Sequence, residues 1–351
     1  ALGCPPGFRH PFNVFPPRLT IGTRYGPVER SWRKCCAGAD QGAFAMLRGL
    51  DSGVVAGAVR ERRSGAPQQV LRYRLAWLTV LTSVCLIPAT PLLVPEIGGA
   101  AADETAGLRA QVVAAVEAMG EHADRWFVIG AAESGDEPAE SGVIVPYPPH
   151  SGAGTFSGFG PDVRVSLSGA RGSADAGPGG SSAGSPAGEG DAAADATMPL
   201  PLLLAGWLRG AVRPGVRPAE PIVGLRAGCG AAPEVCAKAG ARLRADLDAA
   251  ADCRTGVLVV GDGPTTLTAK APGAFDERAQ PVADRIARAF TDGDGAALAQ
   301  LEPGLCAEIG VGGRAAWQVV AGIVGDTAVR VVGASTEWPY GVGYHTALWL
   351  L

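Results

Sequence analysis

The chain has 351 residues, 47% of them hydrophobic, with 30 basic and 34 acidic side chains. A net charge of −4 excludes a chain-wide polyanion binder, and no apolar run reaches the ~18 residues that a spanning helix needs. The single Asn, Asn13, lies in no N-x-S/T triplet, which excludes N-glycosylation.

Ala, Gly and Pro dominate, and the basic residues are nearly all Arg, with Lys34, Lys238 and Lys270 as the only lysines. These residues have GC-rich codons, so much of the composition reflects coding bias rather than function. The eight cysteines (Cys4, Cys35, Cys36, Cys85, Cys229, Cys236, Cys253, Cys306) contain no C-x-x-C, and His10, His122, His150 and His345 are scattered. A structural zinc site wants paired short spacings, and a disulfide framework wants an oxidising setting. The pattern therefore predicts reduced, packing cysteines in a cytoplasmic protein.

Charge divides the chain. Residues 1–79 carry a net +8 and the remainder −12. The first stretch is rich in Pro and Gly and has no sustained period of 3.6 or 2, so residues 1–78 read as a basic, disordered N-terminal extension. Its arginines form no stripe and have few aromatic neighbours, which argues against nucleic acid as a partner. Next comes the apolar segment from Leu75 to Ile87. It resembles a signal-peptide core behind Arg72 and Arg74 but sits far from the N-terminus. It reads instead as a buried strand over Thr79–Ile87, stopped by Pro88.

From there strand and helix patterns alternate. Leu108, Val112, Val113, Val116 and Met119 recur at helical steps and predict a helix over Ala101–His122. Trp126–Gly130 is an apolar strand, and Val143–Pro146 and Val163–Leu167 are further short strands. Residues 169–196 are low-complexity, 23 of 28 being Gly, Ala, Ser or Pro, and read as a mobile loop. Helices follow over Leu200–Leu208 and Pro233–Ala251, then a central strand over Gly256–Val260. Helices over Gln280–Thr291, Gly295–Glu302 and Arg314–Val324 and a strand over Val329–Val332 complete the pattern. This order predicts an α/β domain over 79–351, with helices packed on a largely parallel or mixed central sheet.

In such sheets ligands bind outside the carboxyl ends of the strands. The exits are Pro88-Ala89-Thr90-Pro91, Gly130-Ala131-Ala132-Glu133 and Gly261-Asp262-Gly263-Pro264-Thr265-Thr266. None is a phosphate loop or a G-x-S-x-G nucleophile elbow. The third exit carries Asp262, and Lys270 and Asp276 follow within fourteen residues. A lysine in a chain that otherwise uses arginine suggests a compact point charge. Asp262, Lys270 and Asp276 are therefore the candidate ligand-binding residues, with a structural Asp262–Lys270 pair as the alternative.

Several strings also resemble class III extradiol dioxygenases of the LigB type. These are Cys85-Leu-Ile-Pro-Ala-Thr-Pro-Leu-Leu-Val-Pro-Glu96-Ile-Gly-Gly, the strand and exit Phe127–Glu133, and Leu258-Val-Val-Gly-Asp-Gly263. Further on they are Lys270-Ala-Pro-Gly273 with Asp276, Gly313-Arg-Ala-Ala-Trp317-Gln and Trp338-Pro-Tyr-Gly-Val-Gly-Tyr344. The later strings are similar to a small actinobacterial branch. The resemblance spans residues 80–351 apart from the insert.

It implies a LigB-like fold and, in catalytic members, Fe(II) held by two His and one Glu with open positions for catechol and O₂. Here Ala89 stands at the place of the first His, and Gly130-Ala131-Ala132-Glu133 at that of the second. Ala315, Ala316, Trp317 and Gln318 occupy the region of the Glu, and Thr265, Thr266 and Leu267 that of the proton-relay His. The resemblance thus implies a family member without the usual iron site, non-catalytic or altered in activity, needing no cofactor. The alternative is an active Fe(II) oxidoreductase with a rearranged set drawn from Glu133, His150 and His345. A small aromatic ligand and a homo-oligomer are the expected partners, with no membrane.

Overall fold

A computed structural model describes residues 81–131, 144–147, 152–168, 194–249 and 253–351. The N-terminal extension, Glu133, His150 and most of the 169–196 insert lie outside the described residues. The remainder belongs to one unit built on a mixed seven-stranded sheet.

The strands are β1 (Leu81–Ile87), β2 (Arg125–Ala131), β3 (Ile144–Pro146), β4 (Ala153–Thr155), β5 (Arg164–Ser166), β6 (Val223–Ala227), β7 (Thr255–Val260), β8 (Arg330–Glu337) and β9 (Tyr344–Leu350). Their order in the main sheet is β3-β6-β2-β7-β1-β9-β8, and β4 pairs with β5 in a separate ribbon. The middle four, β6, β2, β7 and β1, run parallel, whereas β3, β9 and β8 pair antiparallel. The apolar runs of β1 and β7 explain their central position, because a strand covered on both faces has no polar side to show.

The helices are α1 (Pro95–Gly98), α2 (Ala106–His122), α3 (Leu200–Ala211), α4 (Pro233–Ala249), α5 (Ala279–Asp292), α6 (Gly295–Ala299), α7 (Pro303–Glu308) and α8 (Arg314–Val324). Successive strand residues point to opposite faces, so Leu86, Val257 and Val259 face one layer while Cys85, Ile87, Leu258 and Val260 face the other. The first layer holds α4, α5 and α8 through Leu243, Ile286, Phe290, Trp317 and Ile323. The second holds α2 and α3 through Leu108, Val112, Met119, Leu203 and Leu208. Helices α4 and α8 cross in close contact: a Cβ on Gly240 would lie 2.0 Å from the Val319 carbonyl oxygen, and one on Gly322 1.8 Å from that of Ala237.

The strands read at Trp126–Gly130 and Gly256–Val260 and the helices read at Leu200, Pro233, Gln280 and Arg314 are present with small end shifts. Four expectations are corrected. Helix α2 begins at Ala106 rather than Ala101, because Thr105 Oγ1 donates to the Ala101 carbonyl at 3.1 Å and Arg109 reaches back to Leu93 and Ala102. The stretch read as one helix over 295–302 ends at Ala299. Glu302 then caps α7 by accepting from the Gly304 and Leu305 amides, with Pro303 at the first helical position. The last expected strand is longer, and β9 returns beside it, so the domain closes with a hairpin. The end of the insert is tied down, since the Asp195 amide donates to the Ala153 carbonyl at 2.9 Å. Among the described residues no helix is long and apolar enough to cross a membrane.

Candidate functional site

A cavity of about 640 Å³ opens at the carboxyl ends of the four parallel strands. Ala89 follows β1, Ala131 ends β2, Cys229 follows β6, and Asp262 follows β7. Cys306 and Arg314, from α7 and the start of α8, close the far wall. This placement follows from topology: parallel strands end together, and their loops diverge to leave a crevice.

Two glycines make the wall. A Cβ on Gly261 would lie 2.5 Å from the Gly313 Cα, so only glycine lets the start of α8 reach the β7 exit. The Gly313 amide then donates to the Asp262 carbonyl at 2.9 Å, and the α8 helix runs back over the sheet from that point.

Asp262 is the carboxylate of the cavity lining. Its Oδ1 accepts from the Ala89 amide at 2.7 Å. Its Oδ2 makes no hydrogen bond among the described residues. Part of the residue opens on the cavity, but protein crowds the carboxyl, and burial raises its pKa to about 7 against the opposing pull of the Ala89 amide. Near neutral pH the group therefore takes up or gives a proton and offers a donor or an acceptor to a ligand hydroxyl.

Arg314 is 4% exposed. Its Nη1 donates to the Ala231 carbonyl at 2.7 Å and to Gln318 Oε1 at 2.8 Å, and its Nη2 donates to the Cys229 carbonyl. Gln318 is held in turn by the Leu301 carbonyl at 2.8 Å. Burial pushes the Cys306 thiol up to about 11, so it is a neutral wall residue rather than a nucleophile. Among the described residues Cys85, Cys229, Cys236, Cys253 and Cys306 are all free thiols.

The other sequence candidates lie elsewhere. Lys270 is exposed, does not line the cavity, and forms no ion pair with Asp262 among the described residues. The Ala89 amide occupies the place in the hydrogen bonding of Asp262 that a lysine was expected to take. Asp276 pairs with its near neighbour Arg278 at 2.6 Å and accepts from the Arg278 amide, ahead of α5, and Arg278 also reaches Glu308. His345 is wholly buried in β9, with Phe290 and Trp317 ring centroids at 5.5 and 6.3 Å and Thr336 Oγ1 3.0 Å from its Nδ1. Burial lowers its pKa to about 3, so the ring is neutral. Sequence reasoning read Arg314 as the first residue of a helix and as part of the string Gly313-Arg-Ala-Ala-Trp317-Gln, with no role in a site. The signal that marks it is the run Gly310-Val311-Gly312-Gly313 before it, which lets backbone approach the strand exits.

Among the described residues, the lining does not supply the two imidazoles and one carboxylate of such an Fe(II) centre. Ala89, Cys229, Cys306 and the basic residue Arg314 line the cavity together with Asp262. Among the described residues no imidazole lines the cavity, and no three His, Cys, Asp or Glu cluster as a metal site. No protein-family model matches the chain, and no curated protein matches it.

Proposed function

We propose that the protein is a LigB-like α/β protein that binds a small hydroxylated aromatic molecule in the cavity at the strand exits and does not cleave it through iron. The observation that carries this reading is Asp262: a carboxylate in a cavity wall with one oxygen satisfied by Ala89 and the other without a partner among the described residues. A buried carboxylate oxygen gains most from a donor, and a ligand hydroxyl supplies one. The apolar remainder of the lining, such as Ala131, Val260 and Val311, suits an aromatic ring. Ala89 and the cationic Arg314 argue for binding without the family metal.

Equilibrium titration of metal-free protein with catechol tests this. One-to-one binding, weakened at least about tenfold in Asp262→Ala, is expected, since loss of a charge-assisted hydrogen bond is worth that much. Absence of binding, or binding indifferent to Asp262, overturns it.

A further inference from the structure

The turn that joins β8 to β9 carries an aromatic surface that the cavity does not use. Trp338 and Tyr340 are 48% and 43% exposed, and neither lines the cavity. Phe275, 62% exposed, stands on the neighbouring loop. The two loops are bound together: the Leu267 amide donates to the Gly341 carbonyl at 3.1 Å, and the Gly343 amide to the Pro264 carbonyl at 2.9 Å. Among the described residues five large hydrophobic side chains are exposed, and three of them stand on these two loops. Scattered single residues of this kind need no explanation, whereas a cluster marks a contact face. The display is also strained. Tyr340 holds a φ of 58° and Ala274, just before Phe275, one of 62°, and they are the only non-glycine residues with positive φ among the described residues. A bulky residue persists in that region only where its surroundings hold it. Here Tyr340 Oη donates to Glu104 Oε2 at 2.6 Å.

Carboxylates frame the two rings. Glu104 is exposed, as are Glu96 and Asp103 on the same approach to α2. Glu337 directly precedes Trp338 and accepts from Gln111 Nε2 at 2.8 Å. The one cation between residues 95 and 110, Arg109, is turned inward, with its guanidinium donating to the Leu93 and Ala102 carbonyls. We propose that this face docks an arginine-bearing segment of a partner protein, with guanidinium groups stacked on Trp338 and Tyr340 and paired with Glu104 and Glu337. A planar guanidinium makes both contacts at once, its face on a ring and its edge on a carboxylate. The net charge of −12 over residues 80–351 draws the same kind of partner. A purely apolar partner would instead cover Glu104 and Glu337 without pairing them. The proposal goes beyond the cavity reading and does not depend on it.

Fluorescence polarisation with the full-length protein tests this. The probe is a labelled peptide of alternating glycine and arginine, set beside counterparts in which citrulline or lysine replaces arginine. The arginine peptide should bind at least about fivefold more tightly than the citrulline peptide, and more tightly than the lysine peptide. Trp338→Ala and Glu104→Gln should each weaken it by at least about threefold. The same charge change at exposed Glu234 on α4, Glu234→Gln, should leave it unchanged. Tyr340→Gly removes the second ring and relaxes the backbone, so binding should weaken while the melting temperature does not fall. The peptide comparison uses wild-type protein alone and stays decisive whatever the variants do. No binding of the arginine peptide, equal binding of the citrulline or lysine peptide, equal losses in Glu104→Gln and Glu234→Gln, or a Tyr340→Gly variant that melts lower with binding intact overturns the proposal.

Discussion

The amide of Ala89 donates to Oδ1 of Asp262 across 2.7 Å, tying the exit of β1 to the exit of β7. A backbone N–H here faces a carboxylate, and that pairing orients Asp262, whose second oxygen has no hydrogen-bond partner among the described residues. The same pairing opposes the burial that raises the Asp262 pKa, without cancelling it.

The raised pKa has a consequence for stability. An acid whose folded pKa lies above its unfolded value keeps its proton in the folded state after the unfolded chain has lost it. Stability contributed by protonated Asp262 is therefore full below the ordinary value of 3.8 and is lost as pH rises to about 7. His345 acts oppositely: held neutral down to about 3, it costs stability as pH falls below 6.5. The two trends offset each other in acid. We expect Asp262→Asn to be more stable than wild type at about pH 8, by on the order of 2–4 kcal/mol, and no more stable at about pH 4. Denaturant unfolding at the two pH values checks this; equal differences at both would contradict it.

Gly240→Ala and Gly322→Ala set two effects against each other. Alanine gains about 1 kcal/mol of helix propensity over glycine. The added Cβ meets a backbone carbonyl oxygen at 2.0 Å in the first case and 1.8 Å in the second, and neither carbonyl can move without parting α4 from α8. Overpacking of that kind costs about 1–3 kcal/mol or more. We expect both variants to be destabilised by about 1–2 kcal/mol net, measured by thermal or denaturant unfolding; a stabilised variant would show that the crossing is looser than described.

Gly261→Ala probes the cavity wall. Its Cβ would lie 2.5 Å from the Gly313 Cα, so the start of α8 has to retreat from the β7 exit. We expect loss of ligand binding together with about 1–3 kcal/mol of stability. Lys270→Ala, by contrast, changes an exposed residue away from the cavity and should leave both melting temperature and catechol affinity unchanged.

Iron gives an independent check. Anaerobic addition of Fe(II), removal of excess and metal analysis should leave well under one equivalent bound, and admission of O₂ with catechol should give no ring cleavage. Tight one-to-one iron that is lost in His150→Ala would restore the alternative reading.

The parallel core was legible because its strands advertise themselves. Leu81–Ile87 and Thr255–Val260 are apolar, β-branched runs bounded by Pro or Gly, and α5 and α8 keep a helical period. Strand β6 was not read, because Gly224 and Arg226 interrupt a run of only five residues. Strand β9 was not read either: His345 and Thr346 look polar in sequence, yet the whole strand is buried. Of the candidate site, Asp262 was legible from its place after a strand. Its partner was not, since a backbone amide leaves no mark on side-chain pattern. Arg314 was not legible because a charged residue opening a helix reads as solvated, and its burial depends on the Cys229 and Ala231 carbonyls some eighty residues away.

The most direct measurement is to locate bound catechol in a crystal structure of the metal-free protein. The ring should lie between the exits of β1, β2, β6 and β7, with a hydroxyl on Asp262 Oδ2 and the Ala89–Asp262 hydrogen bond intact. A ring bound elsewhere, or one whose hydroxyls meet a metal held by His150 or Glu133, would contradict the account.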